Sequence, residues 1–547
     1  MVVLQFLAFY IFLYVLGRGF LILLELLSRT GLKLTELKIF NLNISIFYTL
    51  IGLFFLGNFA FLINFFSGIN NMIYYFLILL VCICNLYRFK LPNFTIEGVV
   101  NNLITPSILS ISTLSAGLHD DASLYHLHYQ NWIRSEKIVI GLMNFHKRFG
   151  YSSIYDHISS FFWLENNFIL LHFINLSFMV FFFGFIFTNI ITNKNNNLYF
   201  ASVFVLIYGV IDNFGFNGGR NGFLYIEGIG KQDVAYSVVF LISNLLIISA
   251  ISQKKYDKKE FLFVTLLVLF SIQLRMNGLL TLILLFYYFI KIKDRGFKIL
   301  LPSFVLGFLW VFKNLLISGC LFFPIEETCF SALSWYTKGT AFKDKIIISD
   351  FHYGLTTENG ITGWYNHWMS SPLNSGIAKN LVLSIIFILL IRLLFLKSNN
   401  QISIMEKLLV LGSLALNYYL WVDNSPAIRL GMGLFILTIA LIGLNDFEYR
   451  FKLKLFSLLE NKVSVTALLI VCTLFIPRLY KYSDFIQNPL YNHEVESIEG
   501  GTMPNPKGGY GVVPQSGEDC EINLKCTPYA TEVDLYELGF LTYKVFK

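Results

Sequence analysis

The sequence predicts an all-α integral membrane protein, a bundle of about 13–14 transmembrane helices, on three observations. Of the 547 residues, 56% are hydrophobic and only 14% charged, against about 25% charged in an average soluble domain. Apolar runs of 15–25 residues recur along the chain, and about 20 helical residues cross the hydrocarbon core of a bilayer. The segments between runs alternate between short basic loops and longer ones of mixed charge, which is how membrane orientation is written. The net charge of +7 therefore encodes topology and is no nucleic-acid footprint.

The runs fall into two blocks. An N-terminal block, 1–117, holds those at 2–27, 44–66, 70–87 and 98–117. The main bundle, 166–477, holds those at 166–190, 198–212, 234–252, 260–274, 278–291, 299–317, 379–397, 407–421, 430–445 and 463–477. The first run is too long for a cleaved signal peptide and has no small-residue cleavage site, so it is expected to be retained. Arg18 inside it reads as a snorkelling or paired arginine, or as a contact to an anionic headgroup. The two runs flanking Arg275, in "SIQLRMNG", can also be read as one broken helix.

Short loops carrying Arg88/Lys90, Lys254/Lys255/Lys258/Lys259 and Arg450/Lys452/Lys454 belong in the cytoplasm. The alternate segments, 118–165, 213–233, 318–378, 422–429 and the tail 478–547, then face outward, with the N-terminus outside. Cysteine placement agrees. Cys320 and Cys329 share one outer loop and Cys520 and Cys526 the tail, so two disulfides, Cys320–Cys329 and Cys520–Cys526, are expected in an oxidising compartment. Neither pair has a third and fourth ligand nearby for a metal. The tail, with "GGTMPNPKGGYGVVPQSGEDCEINLKCTPY", reads as a small, loop-rich, disulfide-pinned cap. The many Ile, Phe, Asn and Lys residues suggest an AT-rich bacterial genome, hence a bacterial cytoplasmic (inner) membrane with the outward segments periplasmic or exterior.

Loop 118–165 carries the chemistry. It holds His119, His126, His128, His146 and His157, together with Asp120, Asp121, Asp156, Lys147 and Arg148. After the acidic pair, Tyr125, His128, Tyr129 and Trp132 share one helical face, suiting a helix that lies in the membrane interface. Asp120 and Asp121 read as an N-cap and first-turn acid, or as functional carboxylates. In the second case one accepts a proton from an acceptor hydroxyl, or the pair holds a Mg2+ or Mn2+ against a phosphate. The histidines can assist either role.

A phosphate needs cations, and outward segments supply Lys147 and Arg148, Arg220 and Lys231 in "FNGGRNGFLYIEGIGKQD", and Arg429 in "NSPAIRLGMG". The glycine-rich stretch at 213–233 suits a re-entrant loop whose N–H groups face an anion. Arg429 is an interfacial anchor or a phosphate clamp. Lys313, deeper in "LWVFKNLLISG", needs a partner or a wet cavity. No Rossmann or P-loop fingerprint is present. A sugar donor with a lipid tail and a phosphate head fits this pattern.

The segments "HDDASLYHLHYQNWI", "IVIGLMNFHKRFGYSS", "LWVFKNLLISGCLFFPIEETCF", "NSPAIRLGMG" and "VPQSGEDCEINLKCTPY", in this order, resemble a bacterial branch of the GT-C superfamily of polytopic glycosyltransferases. The resemblance implies a GT-C-like bundle and a polyprenyl-phosphate or polyprenyl-diphosphate sugar donor. It implies Asp121 as catalytic base or metal ligand, with Asp120 supporting, and functional roles for His126, His146, Arg148 and Arg429. The expectation is thus a membrane glycosyltransferase passing a sugar to a glycan, lipid or protein acceptor. His126, His128, His146, Arg148, Arg220, Lys231 and Arg429 are its candidate substrate-binding residues. The competing expectation is a transporter or flippase of lipid-linked saccharides, which would show discontinuous helices and charges at mid-depth.

Overall fold

A computed structural model describes residues 2–28, 33–88, 95–164, 167–192, 197–214, 228–292, 300–341, 343, 360–398, 403–424, 426–444, 447–449, 467–476, 501–515, 524–528, 531–538 and 543–546. Most of it is helix. In chain order the main elements are α1 (Val2–Ser28), α2 (Tyr48–Asn64), α3 (Met72–Ile83), α4 (Leu127–Ser135), α5 (Ile154–Ser159), α6 (Ile169–Thr192), α7 (Asn197–Phe214) and α8 (Asp233–Gln253). There follow α9 (Lys258–Leu274), α10 (Thr281–Lys291), α11 (Leu301–Ser318), α12 (Gly360–Ser370), α13 (Pro372–Phe395), α14 (Ile404–Asn424) and α15 (Ile428–Gly443).

Among the described residues, six helical stretches are long and apolar enough to cross a membrane: Val2–Leu27, Ile44–Asn64, Ile169–Thr192, Asp233–Gln253, Leu301–Ser318 and Pro372–Phe395. Shorter apolar helices accompany them, among them Asn197–Asp212, Met276–Lys291 and Ile428–Gly443. Two spans, α6 and α8, are apolar on every face and almost wholly buried, which makes them the centre of the bundle. The rim is the reverse. α11 and α13 bury one stripe and turn Phe304, Phe308, Leu383, Phe387 and Leu394 outward, the surface that a hydrocarbon solvent covers.

Local sequence sets the helix ends. Asp257 caps α9 by accepting from Lys259 N–H at 2.8 Å and Glu260 N–H at 3.0 Å. Pro302 and Pro372 stand in the first turns of α11 and α13, where a missing N–H costs nothing. α9 stops at Arg275, whose backbone is extended (φ −158°, ψ 136°), and a short 3-10 turn leads into α10. The two runs around Arg275 are separate helices that fold back on each other and not one broken helix: Tyr288 near the end of α10 donates to Asp257 C=O at 3.2 Å and meets Phe261 at 5.4 Å between ring centroids, both at the start of α9.

Residues 118–164 form a folded layer, and the aromatic face expected at a membrane interface is covered by protein instead. Tyr129 and Trp132 are buried: Tyr129 packs on Phe149, and Trp132 on Phe145 and Phe546. What covers Trp132 is the C-terminal tail. There an antiparallel hairpin, β3 (Leu535–Leu538) and β4 (Tyr543–Phe546), docks on the layer. Ile140 and Phe546 exchange backbone bonds with Lys544 and Ile140 at 2.9 Å each, and Lys544 pairs with Glu136 at 2.7 Å. Cys320 and Cys329 are bridged. Cys526 is disulfide-bonded as well, while Cys520, its expected partner, lies outside the described residues.

Candidate functional site

Four chain segments meet at one end of α8: 117–121, 228–233 and those carrying Arg275 and Arg429. Gly117–Leu118 (β1) runs parallel to Gly228–Ile229 (β2), and the pairing continues in a bond from His119 N–H to Ile229 C=O at 3.2 Å. Beyond β2, Gly230 adopts φ +86°, a left-handed conformation that glycine takes at no steric cost. The turn brings Lys231 and Asp233 beside the start of the histidine-rich helix. Two glycines permit the approach. A Cβ on Gly230 would lie 2.4 Å from the Ala122 methyl, and one on Gly228 would meet Lys231 Cε at 2.9 Å. Lys231 thus folds back over Gly228, next to His119.

The helix that follows begins at Asp120 and passes through a π-turn over Ala122–His126 before α4. Such turns cluster at functional sites because they re-aim side chains. Asp121 stands at the start of the π-turn, yet its carboxylate makes no cap bond. It accepts instead from Arg429 Nη1 at 2.7 Å, and the same nitrogen lies 3.1 Å from His119 Nε2. Arg429 Nε faces Asp233 Oδ2 at 3.7 Å, and Arg275 Nη1 donates to Asp233 Oδ1 at 2.7 Å. Asp233 is buried, and the end of α9 is what frees Arg275 to turn toward it. The helix-cap reading of Asp121 is replaced by a network: Asp121–Arg429–Asp233–Arg275, with His119 and Lys231 at its side.

Charge and burial fix the protonation states. Burial alone would push the Asp121 carboxyl up, but Arg429, then His126 and His119, hold it below the usual carboxylate range. His119 is neutral: burial first, then Lys231 and Arg429, push it down to about 4. A neutral imidazole accepts at one nitrogen only. Both nitrogens face donors, Nδ1 the Asp121 backbone N–H and Nε2 the Arg429 Nη1, each at 3.1 Å, so the two compete for the one lone pair. Burial brings Lys231 down to about 8, with Asp233 opposing the shift, so it stays a cation at neutral pH. The cluster therefore holds three cations against two carboxylates. The Asp121 and Arg429 side chains are 23% and 31% exposed. Among the described residues Arg429 Nη2 has no hydrogen-bond partner, which leaves donors for an incoming anion.

Beside the cluster lies a narrow crevice with a free volume of about 20 Å³. Its walls include Tyr236, one turn into α8 from Asp233; Asn277, two residues beyond Arg275; and Leu430, next to Arg429. Leu420 and Trp421 of α14 close the far side. The outward face of α14, with Leu411 and Tyr419 exposed, continues to the rim of the bundle.

The expected site residues separate. Asp121, Lys231 and Arg429 come together; Asp120 is exposed at the edge and acts on Lys231 through its charge. His126 lies close enough for its charge to act on Asp121, but its Nδ1 is turned to Asp156 Oδ1 at 3.0 Å. His128 and His146 are interior, 1% and 2% exposed. His146 stacks on Phe149, and burial, then His128 and Arg148, push it down to about 3. Arg148 sits over the Tyr151 ring, 5.9 Å from its centroid, and Arg220 lies outside the described residues. Lys313 is wholly buried, over the Trp310 ring, and donates to Ser152 Oγ at 2.7 Å. Asp233 and the site role of Arg275 were missed. The available signal was an acid and a base at the ends of two apolar runs, each costly alone and affordable as a pair.

Sequence comparison adds one relationship. Residues 1–436 match the family model described as a domain of unknown function (DUF8201). The chain belongs to the DUF8201 family. No curated protein and no solved structure matches it. His119, Asp121, Lys231, Asp233, Arg275 and Arg429 all fall inside the DUF8201 match. A divalent cation, the group expected with Asp120 and Asp121, finds no ready cage: among the described residues no three His, Cys, Asp or Glu are grouped to hold one. Asp121 already spends an oxygen on Arg429, so no step below is routed through a metal.

Proposed function

We propose that this DUF8201 protein is a GT-C-type membrane glycosyltransferase that takes a sugar from a polyprenyl-(di)phosphate donor and passes it to a cell-envelope glycan, lipid or protein. On this reading the bundle has about 13–14 spans in a bacterial cytoplasmic membrane, with the charge cluster on the extracytoplasmic side. The observation that carries it is a juxtaposition: a net-positive cluster of Lys231, Arg275 and Arg429 beside a narrow crevice walled by Tyr236, Leu420, Trp421 and Leu430 together with the amides of Asn277 and Asn417. A phosphate head wants paired guanidinium and ammonium donors; an isoprenoid tail wants a dry slot at membrane depth.

The chemistry follows from the groups. Arg429, bridging Asp121 and Asp233, turns its unused donors to the phosphate and steadies the charge that develops on the leaving oxygen. Asp121, released in part by that turn, accepts a hydrogen bond from the acceptor hydroxyl and orients it, with Asp120 supporting at the edge. A flippase of lipid-linked saccharides draws on one specific observation, the wholly buried Lys313 within the apolar helix α11, since a charge inside a span is costly and marks transport paths.

The two readings differ in product. Cell-surface glycans from a deletion strain are compared by mass spectrometry with strains carrying the wild-type protein or Asp121→Asn at equal membrane level. A glycan lacking one sugar or branch in both deletion and variant supports transfer. Whole glycans accumulating on the inner side of the membrane would contradict it and favour movement.

A further inference from the structure

The transfer reading requires a proton acceptor, and the ion pair makes Asp121 a poor one: with its carboxyl depressed by Arg429 it binds a proton weakly. A second acid–imidazole pair stands beside it. Asp156 is 2% exposed, and its Oδ1 accepts from both His126 Nδ1 at 3.0 Å and Gln130 Nε2 at 3.1 Å. Gln130 is fixed in turn, because its Oε1 accepts from the Trp163 indole N–H at 2.9 Å. The α5 backbone is tied down where Ser160 Oγ donates to Asp156 C=O at 2.6 Å. Ser152 Oγ in the same layer accepts from the buried Lys313 amine at 2.7 Å.

A carboxylate only accepts hydrogen bonds, so the His126 proton is on Nδ1 and the Nε2 lone pair is free. Among the described residues Nε2 has no protein partner, and the ring is braced by Tyr125, 4.3 Å between centroids. The groups around His126, whose side chain is 5% exposed, are Asp156 at Nδ1, Tyr125 against the ring and Asp121 within reach of its charge. Nothing in the fold of the layer needs an imidazole held in one tautomer with its other nitrogen unused.

We propose that His126 is the proton acceptor of the transfer step and Asp156 its positioning residue, a role that rests on the transferase reading above. The acceptor O–H gives its proton to His126 Nε2 as its oxygen bonds to the anomeric carbon. The bond from that carbon to the phosphate oxygen breaks, and its electron pair stays on the phosphate, facing Arg429 and Lys231. Asp156 stabilises the imidazolium until the proton passes to water. Asp121 orients the hydroxyl and does not take the proton.

The test combines sugar transfer with a chemical readout that needs no substrate. Membranes from deletion cells complemented with wild type, His126→Gln, His126→Gly or Asp156→Asn supply the endogenous donor and acceptor, and product is read by mass spectrometry. His126→Gln and Asp156→Asn are expected to lose transfer by about 10²-fold or more, the usual worth of a positioned acid–base group. Added imidazole restores product in His126→Gly membranes, which a structural histidine would not allow. Separately, full-length protein in detergent is labelled with diethyl pyrocarbonate at neutral pH and mapped by peptide mass spectrometry. His126 is expected to label in wild type and several-fold more slowly in Asp156→Asn, where the carboxylate no longer dictates the tautomer. Wild-type transfer by His126→Gln, or labelling unchanged by Asp156→Asn, overturns this role while leaving the transferase standing. A deletion strain with unchanged glycans overturns the transferase reading, and this role with it.

Discussion

Gly230→Ala tests the geometry that assembles the site without touching a charge. Two costs follow from the structure. At φ +86° an alanine sits in the left-handed region, a penalty of roughly 1–2 kcal/mol. Its methyl would also lie 2.4 Å from the Ala122 methyl and 3.2 Å from Ala122 Cα, both held by the π-turn, and such overpacking costs roughly 1–3 kcal/mol. The sum is about 2–5 kcal/mol. Gly339 supplies the control: φ is +79° there, but a Cβ would meet nothing within 4 Å, so Gly339→Ala carries the first cost alone, about 1–2 kcal/mol. Unfolding free energies from reversible SDS titration should therefore put Gly230→Ala below Gly339→Ala by about 1–3 kcal/mol. Adding Ala122→Gly should recover part of that gap, less about 1 kcal/mol for glycine in a helix. If Gly230→Ala is no less stable than Gly339→Ala, β2 does not rest on the π-turn, and the placing of Lys231 and Asp233 beside Asp121 loses its support.

Further outcomes follow from the same network. Arg429→Lys keeps the charge but loses the guanidinium that bridges Asp121, His119 and Asp233; binding of a polyprenyl phosphate, read by native mass spectrometry, should weaken about tenfold, as for other sites where the fork matters. Arg275→Leu leaves buried Asp233 with Arg429 as its remaining arginine at 3.7 Å and should destabilise by up to about 3 kcal/mol, visible in the same SDS titration. His119 and His146 are held down to about 4 and about 3. The unfolded chain, titrating near 6.5, then binds more protons than the folded one between those values. Stability should be fully present above about pH 6.5 and fall as the pH drops toward 4, and His119→Gln should flatten the upper part of that slope. Reduction of Cys320–Cys329, which closes a separation of nine residues, should cost about 2.5–3 kcal/mol, and non-reducing peptide maps should show the linked pair.

Much of this architecture was written in the chain's hydropathy. α1, α6, α8 and α13 lie close to the apolar runs that announce them, because a span must satisfy its backbone internally and so must be a continuous apolar helix. The Cys320–Cys329 bridge was legible from its position in a long non-basic loop. Layer 118–164 was harder. Its Tyr129 and Trp132 face was read as an interfacial one, since amphipathic spacing gives the face of a helix and not what covers it. The cover, the β3–β4 hairpin, comes from some 400 residues away in sequence. Asp121 and Arg429 were each picked out by type and place. Their contact across the chain was not, and neither was Asp233, which as the first residue of an apolar run reads like an ordinary helix-start acid. The resemblance gave roles to His126 and His146 alike; all three histidines His126, His128 and His146 are buried, and it is the bond to Asp156 that sets His126 apart.

The central claim is that the Lys231–Arg275–Arg429 cluster and the crevice beside it take one ligand with a phosphate head and an isoprenoid tail. Native mass spectrometry of the full chain in detergent, offered a short-chain polyprenyl phosphate and the matching polyprenol in equal amounts, addresses it directly. The account predicts retention of the phosphate over the alcohol, with that preference lost in Arg429→Gln and overall retention weakened by Trp421→Ala at the crevice wall. Equal retention of the two lipids by wild type, or a phosphate preference that survives Arg429→Gln, would contradict it.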